Sequence, residues 1–469
     1  MKPGNAGGGK GPWFWVLWKE AEERGLAMSL ATPEKIRTLQ KKLYVKAKEE
    51  PEFRFYLLYD KVWRMDILEH AYRLCRSNGG AAGVDGVTFK DIEAGEGGLE
   101  GWLSTLAAEL REEKYRPQAV RRVRIPKPDG GERPLGLPTV RDRVVQQAAK
   151  LVVEPIFEAD FEPNAYGYRP KRGALDAVKE VHASILRGES QVVDADLSQY
   201  FDTIPHAELM KSVARRISDG KMLRLIKMWL KVPVEETGEK GRKTYTGGKG
   251  SKAGTPQGGV ISPLLANIYI HRLLKAWKVF DLESKLKARI INYADDLVIV
   301  CRSQPEVALE WLRWITERLG LRLNEAKTYV RDARRESFDF LGYTFGPKVY
   351  KWTGRKYIGV APSKKRVKRI KQSIRAVLHP GNHAPAGTVV KAVNRKLQGW
   401  GEYFSIGTLD PSYTAVDTYT RLLLRQFMVR RHKVPGRGTR RFSFQYLHGE
   451  LGLVRLQNRR RVSASQALA

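Results

Sequence analysis

Apolar residues recur along the chain in two rhythms. Over residues 54–76, Leu58, Val62, Met65, Leu68 and Tyr72 fall at helical spacing, which predicts one amphipathic helix before the break Gly79-Gly80-Ala81-Ala82-Gly83-Val84-Asp85-Gly86. Between 118 and 345, short β-rich runs alternate with helical ones. The pattern predicts a helix over 139–159 after a Thr139 cap, a helix over 173–187 and a strand over 191–197. It continues with a helix over 262–277, opened by Ser262 as N-cap and Pro263 in the first turn, a hairpin near 290–301, and a helix over 305–319 ending at Gly320. This is an α+β middle without an internal repeat. A further helix is expected where Lys364, Lys365, Arg366, Lys368, Arg369 and Lys371 surround an apolar stripe of Val367, Ile370 and Ile374. Residues 1–20 are expected to fray.

Composition sharpens this picture. A chain of 469 residues has a prior of about three domains, and 42% hydrophobic residues are too many for a disordered polybasic chain. The formal net charge of +33 would attract polyanions, above all nucleic acid. It is unevenly spread: residues 351–469 hold 25 Lys+Arg against 4 Asp+Glu, whereas residues 1–350 hold 59 against 47. The last quarter therefore reads as a separate basic module. Cys75 and Cys301 are too few for a disulfide framework, no Cys/His cluster has zinc spacing, and a reducing, cytoplasmic setting is expected. The apolar stretch Pro12 to Trp18 is too short to span a membrane and lacks a cleavage site, so no membrane partner is expected.

Carboxylates sit where strands need explaining. In Gln191-Val-Val-Asp-Ala-Asp-Leu197, alternation puts Val193, Ala195 and Leu197 on one face and Asp194 and Asp196 on the other. About 100 residues later, Ile290-Ile-Asn-Tyr-Ala-Asp-Asp-Leu-Val-Ile-Val-Cys301 reads as two apolar half-strands with Asp295-Asp296 at the turn, where Asp alone would be ordinary turn chemistry. Two such strand ends in one basic protein suit a two-metal site, in which Asp oxygens converge on two Mg²⁺ ions about 4 Å apart. Lys127 and Arg133 flank an Asp-Gly turn in Ile125-Pro-Lys-Pro-Asp-Gly-Gly-Glu-Arg133, a fingertip from which both could reach a triphosphate.

Tyr293-Ala-Asp-Asp296 together with Asp196-Leu-Ser-Gln-Tyr-Phe201 resembles the palm signature of reverse transcriptases. Thr255-Pro-Gln-Gly-Gly-Val-Ile-Ser-Pro-Leu-Leu265 is similar to the family loop that lies against the incoming nucleotide, here through Gln257 and Gly258. Tyr168-Arg-Pro-Lys-Arg172, Leu323-Asn-Glu-Ala-Lys-Thr328 and Phe338-Asp-Phe-Leu-Gly-Tyr-Thr-Phe345 follow in family order. The resemblance implies that Asp196, Leu197 and Asp295 hold metal and that Asp296 is catalytic or supporting. It implies too that Lys327 protonates the leaving pyrophosphate, that Phe201 blocks a ribose 2′-hydroxyl, and that the 338–345 hairpin supports the primer end. Asp194 points the same way as Asp196, but only Asp196 precedes the aromatic gate by five residues. Asp202 is expected to be structural.

The block Gly79–Phe89, the Ile125–Pro138 block, the Gln257-Gly258…Ser262-Pro263 spelling and Leu397-Gln-Gly-Trp-Gly-Glu-Tyr-Phe404 are similar to bacterial group II intron-encoded proteins, of the lineages lacking a Cys-rich zinc nuclease. That resemblance implies an α+β right-hand polymerase followed by a helical thumb or maturase domain. The expected division is a helical extension over 1–76, fingers with the start of the palm over 77–190, palm over 191–345, thumb over 346–430 and a basic nucleic-acid-binding tail over 431–469. It further implies RNA-directed DNA synthesis with two Mg²⁺ ions and dNTPs, and maturase action on group II intron RNA, with a DNA target and primer as partners. The alternatives are a splicing cofactor with an inert polymerase, or the same polymerase recruited for defence or another retroelement.

Overall fold

The structure is a computed structural model that describes residues 31–126, 132–238, 242–256, 258–350 and 353–458, with Pro126 and Arg133 described for their main chain only. The expectation of a frayed segment over 1–20 therefore lies outside the described residues. Four strands form the central sheet: β3 (Gln191–Asp196), β6 (Ala288–Tyr293), β7 (Asp296–Cys301) and β8 (Tyr329–Asp332), in the order β6-β7-β3-β8. All neighbours are antiparallel, and Asp196 faces Asp296 across the β3–β7 pair. Alternation explains the burial. Val193, Ala195 and Leu197 enter the main core, while Val192 joins a second apolar cluster with Ile291, Val298 and Phe345. Burial of both faces fixes the register, since a one-residue slip would carry the aspartates into the main core.

The helix Val140–Glu158 runs through the main core, its first turn closed by the Thr139 side chain accepting from the Asp142 N–H. A second sheet has the order β2-β1-β4-β5, with β1 (Val120–Pro126) and β2 (Glu132–Leu137) forming the fingertip hairpin beside β4 (Pro233–Thr237) and β5 (Lys243–Gly247). The single helix expected over 54–76 is instead two, Tyr59–Val62 and Met65–Asn78. The cause lies far away in sequence. Phe55 pairs with Ile217, and Asp219 Oδ2 accepts the N–H groups of Leu58 at 2.7 Å and Tyr59 at 2.8 Å, so these donors cannot serve a continuing helix. Ser262 is the first helical residue of Ser262–Val279 rather than its cap, and its hydroxyl donates to Pro256 O at 2.9 Å, closing the preceding loop.

After the central sheet come β9 (Phe338–Phe340), β10 (Tyr343–Val349) and β11 (Lys356–Pro362), in the order β11-β10-β9, then the helices Lys364–Val377, Ala386–Tyr403 and Asp410–Arg431. These helices share their own core, and Phe442, Leu447, Leu453 and Leu456 complete it. The part of the expected tail over 431–458 is thus packed as the closing layer of the helical module; the rest of it, 459–469, lies outside the described residues. Among the described residues no helix is long and apolar enough to cross a membrane.

Candidate active site

One end of the central sheet carries the carboxylates. Tyr293 and Asp296 pair across a two-residue turn, Ala294-Asp295, whose first residue takes a left-handed φ of +59°. Such a turn needs support, and the fully buried Asn292 supplies it by donating from Nδ2 to Ala294 O at 2.8 Å. The segment before Tyr168 clamps it from outside: Tyr166 N–H donates to Asn292 O at 2.9 Å, and Asn292 N–H donates to Asn164 O at 3.0 Å. Gly167 lies so close that a Cβ there would stand 2.3 Å from Ala294 N, while its own carbonyl accepts from Asn267 Nδ2 at 2.8 Å. None of Asn164, Gly167, Asn267 and Asn292 stands out by chemistry. The one signal for them is Asn292, a polar residue interrupting the apolar run of β6.

Asp196 ends β3 beside this turn. Leu197 N–H reaches Asp295 O at 3.4 Å, Asn324 N–H donates to Asp196 O at 2.8 Å, and Asn324 Nδ2 approaches Asp196 Oδ2 at 3.3 Å. Leu197 is apolar and buried, so its carbonyl is the one donor it has for a metal. Lys327, in the short turn Glu325–Lys327, donates from Nζ to Asp196 Oδ2 at 3.2 Å. The Asp296 carboxyl is pushed up to about 7, by burial of its charge first and then by the charges of Asp295, Asp196 and Asp194, against the pull of Lys327. Asp194 is pushed up to about 6, by burial first and by Asp196 and Asp339 after it, with Arg331 opposing.

An all-oxygen donor set with excess negative charge suits Mg²⁺. Among the described residues no three His, Cys, Asp or Glu side chains form a metal-holding group.

The Gly/Pro-rich loop after β5 is tied to the same region, mostly through main chain. Thr255 N–H donates to Phe201 O at 2.7 Å, Gly254 N–H donates to Ile204 O at 2.9 Å, and Gln146 Oε1 accepts from Val260 N–H at 2.8 Å. Gly258 has φ +109°, and a Cβ there would stand 2.2 Å from Gly136 O, so glycine alone lets this loop dock on fingertip strand β2. The Phe201 ring meets Tyr168 edge-on at 6.1 Å and Tyr200 at 5.7 Å. Tyr168 is held out at φ +55° by its neighbour Arg169, which is buried against Glu158 at 2.6 Å and also donates to Glu162 O and Ala165 O. Lys127 and Gln257 lie outside the described residues, and Arg133 is placed only by its main chain, opposite Ile125. In the helical module, Lys364, Lys365, Arg366, Lys368 and Arg369 are exposed, whereas Lys371 is half-buried with its ammonium 5.3 Å from the Tyr419 ring.

Two carboxylate-bearing strand ends in an antiparallel sheet, a fingertip docked on a glycine loop and a cationic helical module beyond define a nucleic-acid polymerase of the right-hand class. The model of the reverse transcriptase (RNA-dependent DNA polymerase) family matches residues 125–345, and that of the group II intron maturase-specific domain matches residues 367–443. Protein YkfC of Escherichia coli (strain K12) is 33% identical over 367 residues, covering 70% of this chain and 93% of YkfC. The group II intron-encoded protein LtrA of Lactococcus lactis subsp. cremoris is 36% identical over 234 residues, covering 50% of this chain and 36% of LtrA. A putative COX1/OXI3 intron 1 protein of Saccharomyces cerevisiae is 28% identical over 329 residues, covering 60% of this chain and 38% of that protein. The chain thus spans about a third of the two intron proteins and nearly all of YkfC. It belongs to the reverse transcriptase family, in the branch that carries a group II intron maturase domain.

Proposed function

We propose that the chain copies an RNA template into DNA from a DNA primer, and that its helical module binds group II intron RNA to promote splicing and retrohoming. The observation that carries the first part is the meeting of Asp196 and the Asp295 turn in one sheet, next to a loop hydrogen-bonded to Phe201. Asp196 and Asp295, with the Leu197 carbonyl, would hold two Mg²⁺ ions. When bound there, Mg²⁺ would lower the pKa of the primer 3′-hydroxyl and neutralise charge developing on the phosphates. Lys327 donates a proton to the leaving pyrophosphate, and its contact with Asp196 keeps its ammonium at the site until substrate arrives. Phe201 excludes a 2′-hydroxyl with Tyr168 bracing its ring edge. Lys127, Arg133 and Gln257 with Gly258 hold the nucleotide. Most of the rate comes from positioning and charge neutralisation.

For the second part, the cations Lys364, Lys365, Arg366, Lys368, Arg369 and Lys371 form a phosphate-binding face with no carboxylate on their helix. Intron RNA is carried over to this chain from the matched maturase-specific domain and from the name of LtrA. A cytoplasmic site of action, at the nucleoid when DNA is engaged, fits these partners. The test is primer extension on an RNA template with Mg²⁺ and dNTPs, comparing wild type with Asp295→Ala. Extension is expected from wild type alone, while RNA affinity stays within about twofold. Substantial extension by Asp295→Ala would remove the assignment.

A further inference from the structure

Beyond the basic helix, the hairpin of β10 and β11 carries a surface that the polymerase reaction does not use. Lys348 stands opposite Tyr357 in the register, and Tyr350 follows Lys348 by two residues, so alternation brings all three to one face. Arg355 joins them, because Tyr350 N–H donates to Arg355 O at 3.0 Å. The two tyrosine rings lie 4.3 Å apart at 30°, and Tyr350 remains 51% exposed. Their platform is anchored: the Tyr357 hydroxyl is hydrogen-bonded to the Thr408 hydroxyl at 3.0 Å, and Thr408 N–H donates to Val360 O at 2.7 Å. It is also cleared, since a Cβ at Gly359 would stand 2.5 Å from Lys348 Cγ and 3.1 Å from Tyr357 Cε2. From Phe340 to Gly401 the sequence holds no Asp or Glu, so no carboxylate on this stretch competes for Lys348 and Arg355.

We infer that Tyr350 stacks on an unpaired nucleobase of a bound strand, with Lys348 and Arg355 taking the flanking phosphates. A rigid exposed aromatic pair between two cations matches single-stranded nucleic acid, whose bases offer a π-face and whose backbone offers charge. A blunt duplex hides those faces at every base but the paired ones at its two ends. The inference rests on the nucleic-acid-binding reading above, but not on polymerase activity. β10 places the platform about 23 Å from Tyr343, at about 3.3 Å per residue, so the stacked base is remote from the primer-supporting end of the same strand.

The test is equilibrium binding of the full chain, without dNTPs or Mg²⁺, to an RNA duplex bearing a single-stranded overhang and to a blunt duplex of equal length. Overhangs carry 2-aminopurine at successive positions, in ribo and deoxy versions. Wild type should quench one overhang position. Tyr350→Ala should abolish that quenching and weaken overhang binding about 5- to 100-fold, leaving blunt-duplex binding unchanged. Tyr350→Trp should restore both, and Lys348→Gln should lower the salt slope by about one phosphate. Ribo and deoxy overhangs should respond alike, because stacking does not read the 2′-hydroxyl. Equal losses on overhang and blunt duplex, or no loss with Tyr350→Ala, would overturn the inference while leaving the polymerase reading intact. A wild-type chain that bound neither nucleic acid would overturn both.

Discussion

Gly167→Ala isolates the geometry of the turn that carries Asp295. Gly167 has no left-handed φ, so alanine meets no backbone penalty of its own there. Its Cβ would stand 2.3 Å from Ala294 N and 3.1 Å from both Ala294 Cα and Tyr293 C, all main-chain atoms that no rotamer change can withdraw. Ordinary contact begins near 3.4 Å, so the turn and the 166–168 segment must separate by about 1.1 Å. The turn carries Asp295, and a displacement of about 1 Å at a reacting centre costs on the order of 100-fold in rate. Overpacking itself costs about 1–3 kcal/mol of stability. Single-turnover incorporation of one dNTP, with thermal unfolding alongside, reads both. The expected result is a fall of about 100-fold in the incorporation rate with a folded protein and unchanged RNA affinity. Gly399→Ala is the control: it sits in the helix Ala386–Tyr403 with nothing near its would-be Cβ, and should gain about 0.5–1 kcal/mol without losing activity. Gly167→Ala within threefold of wild type would refute the argument that this contact sets the position of Asp295.

Phe201→Val should admit ribonucleotides, raising rNTP over dNTP incorporation at least tenfold while dNTP turnover changes little; competition between the two nucleotides measures it. Asp219→Ala should destabilise the protein by about 3 kcal/mol in a denaturant titration, because this one carboxylate accepts the N–H groups of Leu58, Tyr59, Lys221 and Met222. His271 is lowered to about 4, by burial first and then by Lys275, Arg215, Arg169 and Lys278, so its neutral form is the folded one. The unfolded chain therefore binds the extra proton, and stability that is complete above pH 6.5 falls by up to about 3 kcal/mol as pH drops towards 4. His271→Gln should flatten that slope, and a slope equal to wild type would reject the assignment.

Elements with a strong local rhythm were legible. Thr139 and the apolar run after it place the helix Val140–Glu158, and the alternation around Asp194 and Asp196 places β3 with the correct faces. Where an element depends on a distant partner, local pattern misleads. Leu58 keeps helical spacing with Val62, yet its N–H belongs to Asp219, 161 residues away. Strands β4 and β5 are half-polar and escaped notice, since they gain their place by pairing β4 with β1 in parallel. The arginine-rich run around Phe442 reads as a tail because charge dominates its composition, but burial follows its few apolar side chains. In the site, the carboxylates were legible because acid in a strand is costly without a purpose. Of the asparagines that hold their turn, Asn292 shows as a break in an apolar run, whereas Asn164 and Asn267 act through main-chain carbonyls and leave no pattern.

Between Phe340 and Gly401 the chain carries fourteen Lys and Arg and no carboxylate, and much of this charge surrounds one small helical core. Charges of one sign repel more strongly when folding gathers them than when an unfolded chain spreads them, so the module folds against its own electrostatics. A polyanion that binds the folded form alone reverses that bias, adding about 2.7 kcal/mol when present at a hundred times its Kd. Recognition and protein maturation then become one linked equilibrium. Under the proposed function, an RNA bound to this surface would also stabilise the folded form of the surface, and chains made in excess of that RNA would form the less stable population, the first exposed to proteolysis.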